Sequence, residues 1–327
     1  MYRRRRGGPA WHSRSVPEPR PAPPPTIVSN LVHTTFGLWF PFFRWLARTL
    51  PPAFVARISK LTVERVIWAR NSVREAILDN YSAVLGLPRH AREVGRAGRE
   101  MVSRHSRMWI DLLRHSGRSD VDPASLLAAR SGDERLVTAC GEGRGAILLT
   151  AHVGNFELGG LFLAQLGLKV AVVYVPDPSP VVEAHRDDAR RMLGVTGIPV
   201  DRSPFGFLPV LRALEQNMCV AIQGDRDVSG TGRTMPFFGR TASFPIGPFR
   251  IAQASGAPIF PVFVLQEDDG RYRTIVEEAI RVPNVRGAAA DAAVVAGLAT
   301  FVARMEATIR AYPTQWYRFA RFWESEE

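Results

Sequence analysis

Four short apolar runs in the second half of the chain most restrict what it can fold into. They read AILLTA, KVAVVYV, MCVAIQ and APIFPVFVL, and they begin at Ala146, Lys169, Met218 and Ala257. Runs of this length are typical of buried strands. Helical patterns near residues 181–193, 207–216 and 246–255 separate them, and a last apolar stripe covers about 288–312. This alternation predicts an α/β fold with helices on the faces of a sheet.

The N-terminal part lacks this alternation and divides into two segments. Residues 1–26 carry Arg3–Arg6 and a proline-rich run, a composition that predicts a disordered tail. Residues 27–58 hold the most aromatic stretch, and Pro41 and Arg44 interrupt its apolar run. Because a spanning helix needs about 20 apolar residues, this segment favours an interfacial membrane anchor over a tilted span or a buried helix. Residues 59–327 are predicted to form the main α/β domain.

The charge of the chain favours anionic partners. Its formal net charge is +11, and Lys60 and Lys169 are its only lysines. Arginine binds phosphate and carboxylate groups bidentately, so lipid headgroups, phosphorylated substrates or an acidic carrier protein fit this excess. A GC-rich genome that encodes arginine in place of lysine explains the same excess. The basic residues are dispersed and form no nucleic-acid-binding motif. Cys140 and Cys219 show neither metal-ligand nor disulfide-framework spacing and are predicted to be small core residues in a reducing compartment.

A histidine follows the first apolar run, where a catalytic base would be useful. His152 comes just after AILLTA, and Glu157 follows five residues later on a predicted helix. The two side chains meet if His152 lies in the turn before that helix, a turn that Gly154 permits and that Asn155 ends as an N-cap. Glu157 then accepts a hydrogen bond from one ring nitrogen and leaves the other to take a proton from a hydroxyl. A structural histidine is the alternative.

The glycine-rich segment from Gly224 to Pro248 follows the MCVAIQ run and is predicted to be a functional loop. In an open α/β sheet, ligands bind beyond the carboxyl ends of the strands, so this loop and His152 are expected at one edge. Arg202, which follows another short apolar run, is a candidate for binding a phosphate or an oxyanion; a surface arginine is the alternative. The candidate binding residues of the loop are Asp225, Arg226, Arg233, Phe237 and Phe238. The alternative is a solvated loop with local ion pairs and aromatic packing.

Together, these segments resemble the lipid A biosynthesis (late) acyltransferase family of the lysophospholipid acyltransferase-like superfamily. That family is also similar to the phosphatidylinositol mannoside acyltransferases. Its signature, a histidine and an acidic residue separated by four residues, is matched by His152 and Glu157. The match continues in order through Arg202, Asp225, PFFG at 236–239, IGPFRIAQASGAPIFPVFV and the ending YPTQWYRF. The resemblance covers about residues 30–323.

The resemblance implies a glycerol-3-phosphate acyltransferase-like fold, with a mixed sheet flanked by helices and an N-terminal helical membrane anchor. It implies transfer of a fatty acyl group from an acyl carrier protein or coenzyme A thioester to a glycolipid hydroxyl, such as that of a lipid A precursor. Acylation of a phosphatidylinositol mannoside or another lysolipid is the alternative. His152 would deprotonate the hydroxyl, Glu157 would hold its tautomer, and Arg202 would bind acceptor phosphate or developing negative charge. No metal or cofactor is implied, and the expected location is the cytoplasmic face of the inner membrane.

Three departures from the family pattern bear on the substrate. Val175 and Pro176 replace an arginine–proline pair, Arg226 replaces a glutamine, and Ala320 replaces a histidine. A serine hydrolase is a competing interpretation, but the chain has no G-x-S-x-G motif. A non-catalytic lipid-surface binding protein of the same fold is the other alternative, and the intact His152 and Glu157 disfavour it.

Overall fold

The computed structural model of the chain describes residues 41–116, 118, 122–176, 180–200, 206–227 and 230–323. Residues 41–49 are helical. The helices that follow are α1 (Pro52–Ala69), α2 (Asn71–Leu85), α3 (Arg92–His115), α4 (Asp133–Gly141), α5 (Gly159–Ala164), α6 (Pro180–Met192), α7 (Leu208–Glu215), α8 (Gly247–Ser255) and α9 (Ala288–Ala311). The strands are β1 (Leu127–Ser131), β2 (Ala146–Thr150), β3 (Val170–Tyr174), β4 (Val195–Pro199), β5 (Cys219–Gln223), β6 (Arg233–Phe237), β7 (Arg240–Phe244), β8 (Ile259–Gln266) and β9 (Tyr272–Val276). Short 3₁₀ helices cover Pro123–Leu126, Phe156–Leu158 and Pro313–Gln315.

Seven strands form one mixed sheet in the order β1-β9-β8-β2-β5-β3-β4. The five strands from β8 to β4 are parallel to one another. β9 pairs with β8 in the antiparallel sense and with β1 in the parallel sense. The α/β class, the mixed sheet and the flanking helices expected from the sequence are therefore confirmed.

The central strands coincide with the four apolar runs. Ala146 to Leu149 are buried on β2, and all but one residue of β8 are buried. Continuous burial of this kind is typical of strands with both faces covered. The three helical patterns between the runs correspond to α6, α7 and α8, each within one or two residues of its expected bounds. The regularity of these apolar periods made this part of the fold predictable.

The segment predicted as a long loop contains a β-hairpin. Strands β6 and β7 pair in the antiparallel sense, with Phe237 opposite Arg240. Phe238 and Gly239 form the turn with φ of +52° and +74°, the left-handed conformation that a two-residue hairpin turn of type I′ requires at both positions. Met235, Phe237, Ala242 and Phe244 are buried and alternate with exposed residues. The glycines and proline around this short alternation hid the strands from the sequence interpretation.

One helix among the described residues is long and apolar enough to cross a membrane, and it is α9, near the C-terminus. Its apolar side chains, Leu298, Phe301, Met305 and Ile309 among them, are buried in the core. Helix α1, by contrast, carries Arg57, Lys60, Glu64 and Arg65 and packs against α3. The N-terminal membrane anchor expected over residues 27–58 thus has no support from a spanning helix. Residues 27–40 and the expected tail at 1–26 lie outside the described residues.

The helical stretch at 41–49 and helices α1, α2 and α3 form the N-terminal helical layer, residues 41–115. Ile77, Tyr81, Met101 and Met108 form its own buried cluster, which also takes in Tyr317 from the C-terminal segment. Tyr81 donates a hydrogen bond to the carbonyl oxygen of Pro313 at 2.8 Å. The layer is therefore attached to the segment that follows α9, which also borders the site described next.

Candidate active site

The parallel register of the sheet places His152 beside Asp225. On β2 and β5, Thr150 lies opposite Gln223, and the Gly224 amide donates to the Thr150 carbonyl oxygen at 2.7 Å. Two residues further along each strand, His152 Nδ1 lies 2.7 Å from Asp225 Oδ1. The imidazole keeps 17% of its side-chain surface exposed, whereas Asp225 keeps 1%. A partly accessible ring is thus held by a buried carboxylate at the carboxyl edge, where ligands bind in folds of this kind.

Backbone hydrogen bonds hold the turn that carries His152. The His152 carbonyl oxygen accepts from the Tyr317 amide at 2.8 Å, and the Gly154 amide donates to the Gln315 carbonyl oxygen at 2.9 Å. Gly154 has φ of +65°, and a Cβ atom there would collide with the Val264 carbonyl oxygen. Only glycine fits both constraints. The sequence prediction that Gly154 makes this turn is confirmed.

Asn155 connects the same turn to a buried polar network. Its Oδ1 accepts from the Leu158 amide at 3.3 Å, as expected of an N-cap. Its Nδ2 donates to the Tyr272 hydroxyl at 2.9 Å, and that hydroxyl donates to Asp111 on α3. Burial raises the pKa of Asp111, and burial followed by the charge of Asp111 raises the pKa of Tyr272 well above its usual value. No local sequence pattern indicates this network, because each of these two hydrogen bonds joins residues more than a hundred positions apart along the chain.

The charge on Asp225 fixes which ring nitrogen of His152 carries a proton. Burial alone raises the pKa of Asp225, but the charge of His152, the hydrogen bonds from it and the charge of Arg226 outweigh burial and lower the pKa to about 2. An ionised carboxylate only accepts hydrogen bonds, so Nδ1 must donate. The neutral ring then presents Nε2 with a free lone pair, which is the arrangement a general base needs.

Two residues near this pair were not identified from the sequence. His105 on α3 is partly buried and packs against Tyr317 and Phe319, with ring centroids 5.1 and 4.8 Å away. Burial, followed by the charges of His152 and Arg226, lowers the pKa of His105 to about 4, so it is neutral at pH 7. Arg318 is half-buried, and burial and the charge of Arg226 lower its pKa while Asp225 opposes that shift. The sequence does not indicate that these residues lie near His152 and Asp225, because one is a lone histidine on an amphipathic helix and the other is an arginine in an aromatic run.

The partner of His152 differs from the one expected. Glu157 was expected to accept a hydrogen bond from the imidazole, but the described hydrogen bond of the ring goes to Asp225. Glu157 lies in the 3₁₀ helix that follows the turn and accepts instead from Arg186 on α6 at 3.5 Å. The cause is the register of β2 and β5, which places the residues that follow the two strands side by side. Glu157 lies further along the chain, in the 3₁₀ helix after the turn.

The other candidate residues fall in different surroundings. Phe237 is fully buried in an aromatic cluster, with its ring 5.8 Å from that of Trp316 and 5.3 Å from that of Phe244, and Phe238 is buried beside it. Their present contacts are core contacts rather than the wall of an open crevice. Arg226 is exposed next to Asp225, and the charge of Arg233 acts on Asp291 at the start of α9. Arg202 lies outside the described residues.

The arrangement can carry out proton transfer. It offers a histidine oriented by a buried carboxylate, with cationic side chains nearby that favour developing negative charge. In the part of the chain that the structure describes, no group of three or more histidine, cysteine or acidic residues is placed to hold a metal ion.

Comparisons with known proteins show what the chain is similar to. The family model of the bacterial lipid A biosynthesis acyltransferases matches residues 28–325. A phosphatidylinositol mannoside acyltransferase of Mycobacterium tuberculosis is 29% identical over 231 residues, which cover 69% of this chain and 72% of that protein. One of Mycolicibacterium smegmatis is 27% identical over 259 residues, which cover 78% of this chain and 81% of that protein.

Proposed function

Because the chain belongs to the bacterial lipid A biosynthesis acyltransferase family, we propose that it transfers a fatty acyl group from an acyl thioester to a hydroxyl group of a glycolipid. Membership makes it an acyltransferase of lipid biosynthesis and confirms the resemblance stated above. The donor thioester is that of an acyl carrier protein or of coenzyme A. No cofactor is required, since the thioester itself is the activated co-substrate.

In the proposed mechanism, His152 Nε2 removes the proton of the acceptor hydroxyl while its oxygen attacks the thioester carbonyl carbon. Asp225 stabilises the imidazolium that forms, because its carboxylate remains ionised 2.7 Å from Nδ1. A carbon–oxygen bond forms, the carbon–sulfur bond breaks, and the imidazolium returns the proton to the leaving thiolate. Arg226 and Arg202 bind acceptor phosphate or the negative charge on the carbonyl oxygen. Glu157 accepts a hydrogen bond from Arg186 beside the turn that carries His152.

The observation that carries this proposal is the contact between His152 Nδ1 and Asp225 Oδ1 at the carboxyl edge of the sheet. His152→Ala should lower acyl transfer at least about 10³-fold, within the range of general-base effects. His152→Asn, which keeps a side-chain donor near Asp225, should be equally inactive and should guard against loss of folding. Circular dichroism and thermal unfolding check that both variants are folded. Undiminished turnover in either variant would show that His152 is not the general base, whereas a folded wild type without any turnover would favour the non-catalytic, lipid-binding alternative.

Two acceptor classes fit the family, and lipid analysis distinguishes them. The family model is named for lipid A biosynthesis, whereas the matched relatives are named for phosphatidylinositol mannosides. In a deletion strain, the lipid that lacks one acyl chain is the substrate. We expect a lipid A precursor or a phosphatidylinositol mannoside to show this loss. Accumulation of another lysolipid would keep the reaction but change the acceptor.

We also propose that the N-terminal helical layer rests on the cytoplasmic face of the inner membrane. Exposed aromatic and aliphatic side chains cluster at its start: Phe42, Phe43, Trp45, Phe54, Ile58 and Leu61. Arg44, Arg57 and Arg65 accompany them. Apolar side chains flanked by arginine are typical of helices that lie in the headgroup region of an anionic membrane.

A further inference from the structure

A pocket of about 370 Å³ lies apart from the catalytic pair, between α1, α3 and the turn that follows β8. Neither His152 nor Asp225 lines it. Its wall at Gln266 is rigid, because the Gln266 amide donates to Gln315 Oε1 at 2.8 Å and its carbonyl oxygen accepts from Gln315 Nε2 at 2.8 Å. The pocket is therefore a formed feature of the fold.

Four cationic and three acidic side chains line this pocket. It is lined by Arg57 and Lys60 of α1 and by Arg104 and Arg107 of α3, against the carboxylates of Glu100, Glu267 and Asp268. Glu267 is also bound by Arg273, which lies outside the lining. Asp268 is 98% exposed, and attraction to a solvated carboxylate is weak. The remaining balance favours an anionic ligand.

Few of the N–H donors of these cations are used within the protein. Arg104 donates to the Gln266 carbonyl oxygen and to Asp268, and its Nε lies 3.4 Å from Glu100 Oε1. Lys60 lies 3.7 Å from Glu100 and Arg107 lies 3.6 Å from Asp111, and both distances exceed those of hydrogen bonds. Arg57 has no hydrogen-bond or ion-pair partner among the described residues. Arginine forks and a lysine ammonium of this kind are well suited to phosphate oxygens.

We propose that this pocket binds the phosphate group of a membrane lipid. Arg57 lies one helical turn from Phe54 and Leu61, which are exposed on the same helix, and residues three and four apart are neighbours on a helix surface. The pocket thus opens beside an apolar surface that would contact acyl chains. This inference rests on the proposed membrane association and names the lipid group that the N-terminal helical layer recognises.

The test compares vesicles of phosphatidylcholine with vesicles that also contain phosphatidylglycerol, using the full chain. The double variant Arg57→Gln/Lys60→Gln should lower affinity for the anionic vesicles by about tenfold more than Arg65→Gln/Arg70→Gln does, although each removes two cations of α1 or its C-cap. Acyl transfer to a detergent-solubilised acceptor should be unchanged in both. Equal losses of affinity in the two double variants would show that the pocket contributes only non-specific charge attraction, and this would overturn the proposal.

A second arm separates the lipid from free phosphate. Inorganic phosphate and glycerol 3-phosphate are added without vesicles, and thermal unfolding is followed. Stabilisation of the wild type but not of the Arg57→Gln/Lys60→Gln variant, with no difference in vesicle binding, would assign the pocket to a soluble phosphate and overturn the lipid assignment. If the wild type binds no vesicles at all, the proposed membrane association fails, and the lipid assignment fails with it. Loss of acyl transfer in His152→Ala would be unaffected by that result.

An independent observation concerns the two cysteines. Cys140 Sγ at the end of α4 lies 3.2 Å from Cys219 Sγ at the start of β5. Asn217 holds the two segments together, because its Nδ2 donates to the Cys140 carbonyl oxygen and its Oδ1 accepts from the Gly145 amide, both at 2.8 Å. Cys140 is half-buried and Cys219 is buried. The hydrogen bond between them lowers the pKa of Cys140 and raises that of Cys219.

We infer that Cys140 and Cys219 form an intramolecular disulfide in the presence of glutathione disulfide. The Cys140 thiolate attacks one sulfur of the oxidant and releases one glutathione. Cys219 gives up its proton, attacks the Cys140 sulfur of the mixed disulfide and releases a second glutathione. The two thiols are oxidised by two electrons and the oxidant is reduced by the same number.

The chain contains only these two cysteines, so the product is unambiguous. Oxidation should remove both titratable thiols and lower the mass by about 2 Da, with no retained glutathione. Cys219→Ser should instead retain one glutathione on Cys140, and Cys140→Ser should react slowly because its remaining thiol is buried. A stable glutathione adduct on the wild-type chain, or two thiols that persist, would overturn the inference.

Discussion

At the carboxyl edge of the sheet, polar side chains are buried and paired, whereas at the start of the N-terminal helical layer apolar side chains are exposed. His152 and Asp225 are held by strand register and by backbone hydrogen bonds. Trp45 and Phe54 expose more than half of their surface. The carboxyl edge of the sheet is suited to catalysis by side chains that the strands hold in place. The start of the N-terminal helical layer is suited to contact with a membrane. Each departs from the ordinary rule that apolar groups are buried and polar groups are exposed.

After the loss of activity expected in His152→Ala, the largest effect expected at the carboxyl edge distinguishes Asp225 from Glu157. Asp225→Asn should lower kcat by about 10²-fold or more, because an amide no longer stabilises the imidazolium and can favour the wrong tautomer. Glu157→Gln, the matched removal of one carboxylate charge, should cost less, since the described partner of Glu157 is Arg186. Steady-state kinetics with a thioester donor measures both. A greater loss in Glu157→Gln would show that the sequence prediction for Glu157 was the better one.

The backbone turn that holds His152 should tolerate substitution poorly. Gly154→Ala should lower the free energy of unfolding by about 2–4 kcal/mol, because it combines a positive φ with a collision at the Val264 carbonyl oxygen. Gly167→Ala is the control, since Gly167 has φ of +71° with open space around its Cβ position, and should cost about 1 kcal/mol. Denaturant titration measures both. Equal losses would mean that the turn is not tightly constrained.

Acid should weaken the edge through Asp225. Its pKa is lowered from 3.8 to about 2 in the folded protein, so its stabilising contribution is complete above about pH 4 and is lost as the pH falls through about 2. The difference in unfolding free energy between wild type and Asp225→Asn should shrink by about 2 kcal/mol over that range. Chemical unfolding at several pH values measures it, with Glu157→Gln as the comparison. A difference that does not change with pH would contradict a charged, paired Asp225.

The smallest effect concerns the exposed apolar surface. Phe54→Ser/Leu61→Ser should lower vesicle affinity by about tenfold, because each half-exposed side chain loses about 0.7 kcal/mol of apolar burial in the lipid. Val137→Ser/Val285→Ser removes exposed apolar surface elsewhere and should have little effect. Vesicle sedimentation measures both pairs. Similar affinities in the two pairs would place the membrane contact outside the N-terminal helical layer.

The sequence predicted the strands and the turn after β2 better than it predicted which side chains meet at the site. Apolar runs of adequate length identified β2, β3, β5 and β8. Gly154 and Asn155 indicated the turn after β2, because the conformational preferences of glycine and asparagine act locally. Both His152 and Asp225 were singled out, but their contact depends on which strands are neighbours, and β2 and β5 are separated by β3 and β4 along the chain. Long-range pairing of this kind leaves no local signal, so the nearer carboxylate, Glu157, was preferred.

The burial of aromatic side chains was also difficult to predict, for a different reason. Phe237 and the aromatic residues at 41–45 are of similar chemical type. Phe237 is nevertheless buried in the core, whereas the aromatic side chains at 41–45 are largely exposed. Burial depends on whether a complementary surface exists elsewhere in the fold. The side chains of Trp316, Phe322 and Trp323 supply it for Phe237, and composition alone does not reveal them.

The most direct test of the catalytic pair is a double-mutant cycle on kcat with His152→Ala, Asp225→Asn and the combined variant. If Asp225 acts through His152, removing the carboxylate from a chain that already lacks the imidazole should cost almost nothing, so the combined variant should match His152→Ala. If the two losses multiply instead, Asp225 acts independently of the ring, and the His152–Asp225 pair is not the catalytic unit.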